Sequence, residues 1–232
     1  MSDLAAATHD ALDRLAIGDR PLLVVDVDEV VLRFVSHLEA FIGRQGYRLE
    51  VRSFGITGNV TRLGSCRAVP APEVAALIAG FFAAHVHDQD PVPGAAEALA
   101  RLSARLDVVL LTNVPAEHAE VRAARLAALG MAFPVVANDG PKGPAFARLA
   151  RRVDHPAFFV DDGPNHLASV RDAAVDARLV HFVDDPRYFR LAPDVPGTWL
   201  KTRDWGEVAR RIEAEVGRGE AGAPDASASW SR

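Results

Sequence analysis

The chain has 232 residues, of which 49% are hydrophobic, and a formal net charge of −5. That length and apolar content can build one domain with an insertion or two modest domains. The acidic balance, without any clustered Lys/Arg run, argues against a nucleic acid polymer as partner, because its phosphates require a positive face.

Other features of the composition indicate the cellular setting. The chain begins without a basic or long apolar stretch, so we expect no signal peptide. No apolar run approaches the roughly 20 residues of a membrane helix, so we expect no membrane partner. Cys66 is the only cysteine and cannot form an internal disulfide. A cytoplasmic, reducing setting is therefore predicted.

The first predicted elements are an N-terminal helix within residues 1–17 and a buried strand that starts at Pro21. The strand runs as five apolar residues into Asp26, which is typical of a parallel strand buried on both faces. Asp28 points to the same side of the strand as Asp26. The two carboxylates would crowd each other unless a cation lies between them or one keeps its proton.

An irregular insertion follows and predicts a small helical cap over residues 34–90. Phe34, Leu38, Phe41 and Ile42 fit a short amphipathic helix. Residues 53–65, rich in Gly, Asn and Thr, predict loops or a small hairpin. Apolar residues then recur at helical spacing from Val74 to His85, which favours a second helix.

From Pro91 the pattern alternates between strands and helices, which favours a parallel sheet covered by helices on both faces. Together with the first strand, it predicts an α/β, Rossmann-like, three-layer core with a mostly parallel five-stranded sheet. The tail, residues 217–232, is predicted to be disordered. The later strands are expected at 106–111, 134–137, 157–160 and 178–183, and the helices at 94–104, 116–129, 143–152, 164–174 and 205–216.

Polar residues follow several of these strands at the edge where open α/β sheets bind ligands. They are Thr112-Asn113, Lys142 and Asp161-Asp162. Carboxylate oxygens are the ligands that Mg²⁺ prefers, and an ammonium can neutralise charge that grows in a transition state. Only two of the 26 basic residues are lysines, so a lysine at position 142, among the polar residues at this edge, is evidence for a functional role.

The ordered set Asp26-x-Asp28, Thr112, Lys142 and Asp161-Asp162 resembles the haloacid dehalogenase (HAD) superfamily, specifically its phosphatases with a C1-type helical cap. The resemblance spans roughly residues 21–183. It implies a HAD-like core at 18–33 and 91–216 and a cap at 34–90. One departure is Glu29-Val30, where many relatives have Gly and then Thr, and Glu29 places a charge beside the cap hinge.

The resemblance also implies residue roles. Asp26 would be the nucleophile that forms an aspartyl-phosphate, and Asp28 the general acid and base. Lys142 would stabilise Asp26 and the phosphoryl group. Thr112, with Asn113 beside it, would bind substrate. Asp26, the backbone carbonyl of Asp28, Asp161 and Asp162 would hold Mg²⁺.

The function expected from this set is Mg²⁺-dependent hydrolysis of a small soluble phosphomonoester. A loose similarity to the 5′-nucleotidase branch makes a nucleoside monophosphate the first substrate to consider. A phosphomutase acting on a sugar phosphate and a non-catalytic binding protein remain alternatives. A second acidic pair, Asp184-Asp185, follows a strand that we expect at the edge of the sheet, so we expect it to lie too far from Asp26 for the metal site and to form a turn. The oligomeric state has no readable signal.

Overall fold

The computed structural model describes residues 4–173 and 175–222. None of the helices within these residues is both long and apolar enough to cross a membrane. The strands are β1 (Leu22–Val25), β2 (Tyr47–Leu49), β3 (Val60–Arg62), β4 (Asp107–Thr112), β5 (Val135–Ala137), β6 (Ala157–Asp161), β7 (Ala177–Phe182) and β8 (Thr198–Thr202).

Helices cover the sheet on both faces and also lie in the insertion. They are α1 (Ala6–Asp13), α2 (Val35–Gly43), α3 (Ala71–His85), α4 (Ala95–Ser103), α5 (Ala119–Ala128), α6 (Gly143–Ala150), α7 (Pro164–Asp172), α8 (Pro186–Leu191) and α9 (Trp205–Gly222). A short 3-10 turn, Ala116–His118, leads into α5.

The main sheet has the strand order β5-β4-β1-β6-β7-β8, and every neighbouring pair is parallel. The predicted parallel α/β core is therefore confirmed, but the predicted count of five strands is wrong. The sixth strand, β8, carries alternating half-buried and buried residues and lacks the apolar run that marks the inner strands. Because β8 lies outside β7, β7 is not the edge strand that we expected.

The alternation of β1 explains the three layers. Leu22 and Val24 point to one face, where they pack with residues of α1, α6 and α7. Leu23 and Val25 point to the other face and pack with residues of α4 and α9. All four side chains are fully buried, so β1 is the centre of the core.

The insertion between β1 and α4 contains α2, the antiparallel pair β2 and β3, and α3. Its apolar side chains form a separate cluster that includes Leu38, Val60 and Phe81. Val183 and Tyr188 of the core belong to the same cluster, so the insertion packs directly onto the sheet edge. Its assignment as a C1-type cap with the bounds 34–90 stays a prediction.

The N-terminal helix lies within the predicted segment, whereas the C-terminal helix is longer than predicted. In the N-terminal segment, α1 docks on the core through Leu12, which is fully buried, and Thr8 Oγ1 donates to the carbonyl of Ala137 at 3.0 Å. At the other end α9 continues to Gly222, beyond the predicted end at residue 216. The rest of the predicted tail, residues 223–232, lies outside the described residues.

A close approach between α6 and α7 provides a test of the fold. A Cβ on Gly143, the first residue of α6, would lie 2.2 Å from the backbone oxygen of Ser169. We therefore expect Gly143→Ala to lower the free energy of unfolding by roughly 1–3 kcal/mol, measured in urea, because the backbones of α6 and α7 would have to separate.

Gly43→Ala is the matched control for this substitution. It also adds one methyl group to a helix, but nothing lies within 4 Å of the new Cβ. It should leave stability unchanged or raise it by up to about 1 kcal/mol. Equal effects of the two substitutions would contradict the observed packing of α6 on α7.

Candidate active site

The register of the central strands brings the predicted site residues together. Val25, the last residue of β1, lies level with Leu110 of β4 on one side and Val160 of β6 on the other. Asp26 continues the ladder, since its N–H donates to the carbonyl of Val160 at 2.9 Å. Asp161 follows Val160, and Thr112 ends β4. These side chains therefore converge at one edge of the sheet, as the sequence predicted.

Lys142 connects the two central carboxylates. Its side chain is 1% exposed, and Nζ donates to Oδ1 of Asp26 and, at 2.8 Å, to Oδ2 of Asp161. Burial by itself would lower the pKa of Lys142, but the charges of Asp161 and Asp26 outweigh it and raise that pKa. Lys142 is therefore a fixed cation between two carboxylates that lie on neighbouring strands.

Three carboxylates form a group that can hold a metal ion. Oxygens of Asp26, Asp161 and Asp162 all lie within 4.8 Å of one another. Burial raises the pKa of Asp26 to about 7 against the lowering effect of Lys142. Burial and the charge of Asp26 also raise the pKa of Asp162 well above its usual range. With one lysine for three carboxylates, the site has the excess negative charge and the hard oxygen ligands that suit a divalent cation.

A tight turn after β6 fixes the orientation of Asp161. The N–H of Gly163 donates to Oδ1 of Asp161 at 2.8 Å, while Lys142 occupies Oδ2. A Cβ at Gly163 would lie 2.7 Å from Cδ2 of His166 and 3.0 Å from Oδ1 of Asp161. A side chain at position 163 would therefore have to displace His166 and crowd the Asp161 carboxylate.

Thr112 and Asn113 have different surroundings although they are adjacent in sequence. Thr112 is fully buried, and its Oγ1 has no hydrogen-bond partner among the described residues. Such a group is costly unless something binds it, which fits a role in contacting a ligand. Asn113 is exposed, donates to the carbonyl of Gly140 at 2.9 Å and accepts from Asn138 at 3.0 Å. In this structure Asn113 braces the loop before Lys142.

Asp28 is held by two residues that the sequence analysis did not identify. Arg122 of α5 is fully buried, and its Nη2 lies 3.1 Å from Oδ1 of Asp28. Gln89, in the segment that returns from the insertion, donates to the same oxygen at 3.1 Å and to the carbonyl of Arg33 at 3.1 Å. Asp28 is thus tied both to the core and to the two chain segments that enter and leave the insertion.

The rest of the Arg122 guanidinium has little polar compensation. Its Nε and Nη1 have no hydrogen-bond partner within the described part of the chain. The ring of Phe82, from α3, lies 5.6 Å from the guanidinium carbon. A buried arginine is costly, and here the compensating contacts are Asp28 and an aromatic face. No motif signals this residue, since arginines are abundant in the chain.

Glu29 has a structural role that its position in the first motif did not reveal. It is buried and, among the described residues, is the only non-glycine with a positive φ, 65°. Its Oε2 accepts from the N–H groups of Phe34 and Val35 at 3.1 and 2.8 Å, and its Oε1 accepts from Asp185 N–H at 2.8 Å. Burial raises the pKa of Glu29 to about 7, against the lowering effect of these hydrogen bonds. Glu29 therefore joins the start of α2 to the loop after β7.

The second acidic pair has structural partners of its own. Asp184 pairs with Arg33 at 3.2 Å. Asp185 caps α8, where its side chain accepts from the N–H groups of Arg187 and Tyr188. Neither belongs to the carboxylate group that can hold a metal. The pair lies outside the metal-binding group, as expected, but it forms a loop and a helix cap in place of the predicted turn.

Comparison with known proteins gives one family. The family model described as haloacid dehalogenase-like hydrolase matches residues 6–174, which include all of the site residues described above. No curated protein sequence matches the chain.

Solved structures of that family have the same fold at low sequence identity. A HAD family hydrolase from Deinococcus radiodurans, with bound phosphate and sodium, aligns with a TM-score of 0.58 at 16% identity over 86% of this chain and 97% of its own. The HAD-hydrolase YfnB from Bacillus subtilis, bound to magnesium, gives 0.55 at 14% identity over 84% and 99%. A protein from Haemophilus somnus described as a predicted phosphoglycolate phosphatase gives 0.50 at 12% identity over 85% and 100%.

Substitution of Glu29 tests its role in joining α2 to the core. Glu29→Ala leaves three backbone N–H groups without their acceptor and keeps the strained φ, so we expect a loss of roughly 2–4 kcal/mol in the free energy of unfolding. Glu29→Gly loses the same hydrogen bonds but tolerates a positive φ, and should cost about 1 kcal/mol less. Urea unfolding measures both, and wild-type stability in both variants would contradict this role.

Proposed function

Because the chain belongs to the haloacid dehalogenase-like hydrolases, we propose that it is a Mg²⁺-dependent phosphatase that hydrolyses a small phosphomonoester through an aspartyl-phosphate on Asp26. The observation that carries the proposal is the buried group in which Lys142 bridges Asp26 and Asp161 beside Asp162. A lysine fixed against a carboxylate can orient it for attack and balance the charge of an incoming phosphate.

The residues available for metal binding fit Mg²⁺. Asp161, Asp162 and Asp26 would supply carboxylate oxygens, and Asp28 its backbone carbonyl. The cation would supply charge neutralisation and alignment of the phosphoryl group. A bound magnesium in the Bacillus relative agrees with this choice of metal.

In the first half of the proposed reaction, a carboxylate oxygen of Asp26 attacks phosphorus. The bond from phosphorus to the ester oxygen breaks. That oxygen keeps the bonding electron pair, accepts a proton from Asp28 and leaves as an alcohol. Lys142 and the unpartnered hydroxyl of Thr112 bind the phosphoryl oxygens. Asn113 supports this side of the site by bracing the loop that carries Lys142.

In the second half, Asp28 accepts a proton from a water molecule whose oxygen attacks phosphorus. The bond to Asp26 breaks, which releases inorganic phosphate and restores the carboxylate. Division into two steps lets one aspartate serve as acid and then as base. The insertion over residues 34–90, as a C1-type cap, would exclude other water and select the leaving group.

The substrate is proposed to be a small soluble metabolite, with a nucleoside monophosphate as the first candidate. Support comes from the loose similarity to the 5′-nucleotidase branch in the segment after Asp26, in the Val-Asp-Asp of 160–162 and around Arg203-Asp204-Trp205. Trp205 itself is buried and donates to the carbonyl of Val30 at 2.9 Å, so that part of the similarity concerns the turn after β1.

Asp26→Asn tests the nucleophile and the metal together. We expect wild type to release phosphate from nucleotides, sugar phosphates or carboxylic-acid phosphates only with Mg²⁺, and excess EDTA or the substitution to abolish release. Asp185→Asn is the matched control, because it changes an aspartate that caps α8 outside the metal-binding group. Undiminished turnover by Asp26→Asn would reject the mechanism, and phosphoryl transfer to sugar acceptors instead of water would favour the phosphomutase.

Arg122→Met tests whether the partner of Asp28 positions it. Without the guanidinium, Asp28 should protonate a poor leaving group more slowly. We therefore expect kcat/KM for an alkyl phosphate to fall roughly 10- to 100-fold. For 4-nitrophenyl phosphate, whose leaving group needs little protonation, kcat/KM should change little.

Arg101→Met is the control for the Arg122 substitution. Arg101 lies on α4 and pairs with Glu213 of α9, and none of its described contacts involves a residue that holds Asp28. The control should show no preference between the two substrates. An equal loss on both substrates in Arg122→Met would mean that Arg122 supports the fold and does not position Asp28.

A further inference from the structure

A pocket opens beside the carboxylate group, between the insertion and the core. Asp162 lines it on the side of the metal-binding group, and Glu29 lines it at the turn after β1. The insertion contributes Phe34, Val35 and residues 54–56, and the core adds Val183 and Tyr188. Asp162 belongs both to the metal-binding group and to the pocket lining. The pocket is therefore where the part of a substrate beyond its phosphate would lie.

The loop that covers this pocket is fixed in place. Asn59 donates to the carbonyls of Ser53 and Gly55, both at 2.7 Å. Tyr188 of α8 donates from its hydroxyl to the carbonyl of Gly55 at 3.1 Å, and the ring of Phe54 packs edge-on against that of Tyr188, 5.9 Å away. The covering side chains are therefore held against the core before any ligand binds, which favours a defined leaving group.

The lining side chains are apolar apart from two carboxyl groups and the Tyr188 hydroxyl, which is bound to Gly55. Three aromatic and three aliphatic side chains face the pocket, and Glu29 and Asp162 are its acidic members. No Lys, Arg or His side chain lines it in the part of the chain that the structure describes. Aromatic and aliphatic walls with few polar groups are typical of sites for apolar ring systems.

Four cationic side chains that belong to the site or neighbour a lining residue in the chain have carboxylate partners. Arg33 pairs with Asp184 at 3.2 Å, and Arg187 pairs with Asp185 and with Glu39, both at 2.8 Å. Arg122 and Lys142 are bound to the site aspartates. A second anionic group on a substrate would lie against the carboxyl groups of Glu29 and Asp162 with no cation among the described lining residues, which is unfavourable in a partly desolvated site.

We propose that this pocket selects phosphomonoesters of uncharged, ring-bearing alcohols and rejects esters that carry a second anionic group. The proposal rests on the phosphatase function and specifies its substrate class. A nucleoside monophosphate belongs to the accepted class. Phosphoglycolate and sugar bisphosphates belong to the rejected class.

A pair of matched substrates tests this selection. Phenyl phosphate and 4-carboxyphenyl phosphate differ by one carboxylate, and the carboxylated phenol is the slightly better leaving group. We expect wild type to favour phenyl phosphate at least tenfold in kcat/KM, against the chemical order. Equal rates, or a preference for the carboxylated ester, would overturn the proposal.

A charge added to the pocket should reverse the selection. Ile56→Lys places a cation in the lining, and we expect it to shift the ratio of the two kcat/KM values at least tenfold toward 4-carboxyphenyl phosphate. Leu63→Lys adds the same charge to the insertion at an exposed position outside the lining and should leave the ratio unchanged. An unchanged ratio in Ile56→Lys would place the leaving group elsewhere.

Binding distinguishes failure of this proposal from failure of the phosphatase function. Benzylphosphonate and 4-carboxybenzylphosphonate cannot be hydrolysed, and calorimetry in the presence of Mg²⁺ measures their affinities without turnover. A preference for the uncharged phosphonate without hydrolysis of any ester would reject the phosphatase function and keep the pocket assignment. Turnover of esters without that preference would keep the phosphatase function and reject the pocket assignment.

Discussion

The ion group of Lys142, Asp26 and Asp161 is the constraint on which the rest of the structure depends. One ammonium is shared between carboxylates at the ends of two neighbouring strands, and a third carboxylate, Asp162, lies within the same few ångströms. Charges buried in this way are costly unless they are paired in a fixed geometry. The parallel register around β1, the close packing of α6 on α7 and the turn at Gly163 all serve to fix that geometry.

The same site is coupled to the insertion through the residues that follow Asp26. Asp28 contacts both the buried Arg122 of α5 and Gln89 of the returning segment, and Glu29 binds the start of α2 and the loop after β7. The short stretch 26–29 thus supplies the proposed nucleophile, its acid and base, and an anchor of the insertion. A change in how the insertion packs would therefore act directly on Asp28, the proposed acid and base.

Much of this arrangement could be predicted from local sequence signals, and the rest depends on contacts between distant residues. The apolar run of β1 and the strand and helix alternation predicted a parallel sheet, and in such a sheet the residues after each strand must meet at one edge. The strand β8 was missed because only part of it is buried, so it has no continuous apolar signal. The contacts of Arg122 with Asp28 and of Glu29 with Asp185 join residues 94 and 156 positions apart, which no motif records.

Detection of phosphate on Asp26 tests the central claim most directly. Reaction mixtures stopped during turnover can be reduced with borohydride, which converts an aspartyl-phosphate to homoserine, and the peptide that contains position 26 can be analysed by mass spectrometry. The proposed mechanism predicts homoserine at position 26. With 4-nitrophenyl phosphate as substrate it predicts a greater yield in Asp28→Asn, because the first step needs little protonation while the second step loses its base. Homoserine at another aspartate, or none at position 26 while phosphate is released, would contradict it.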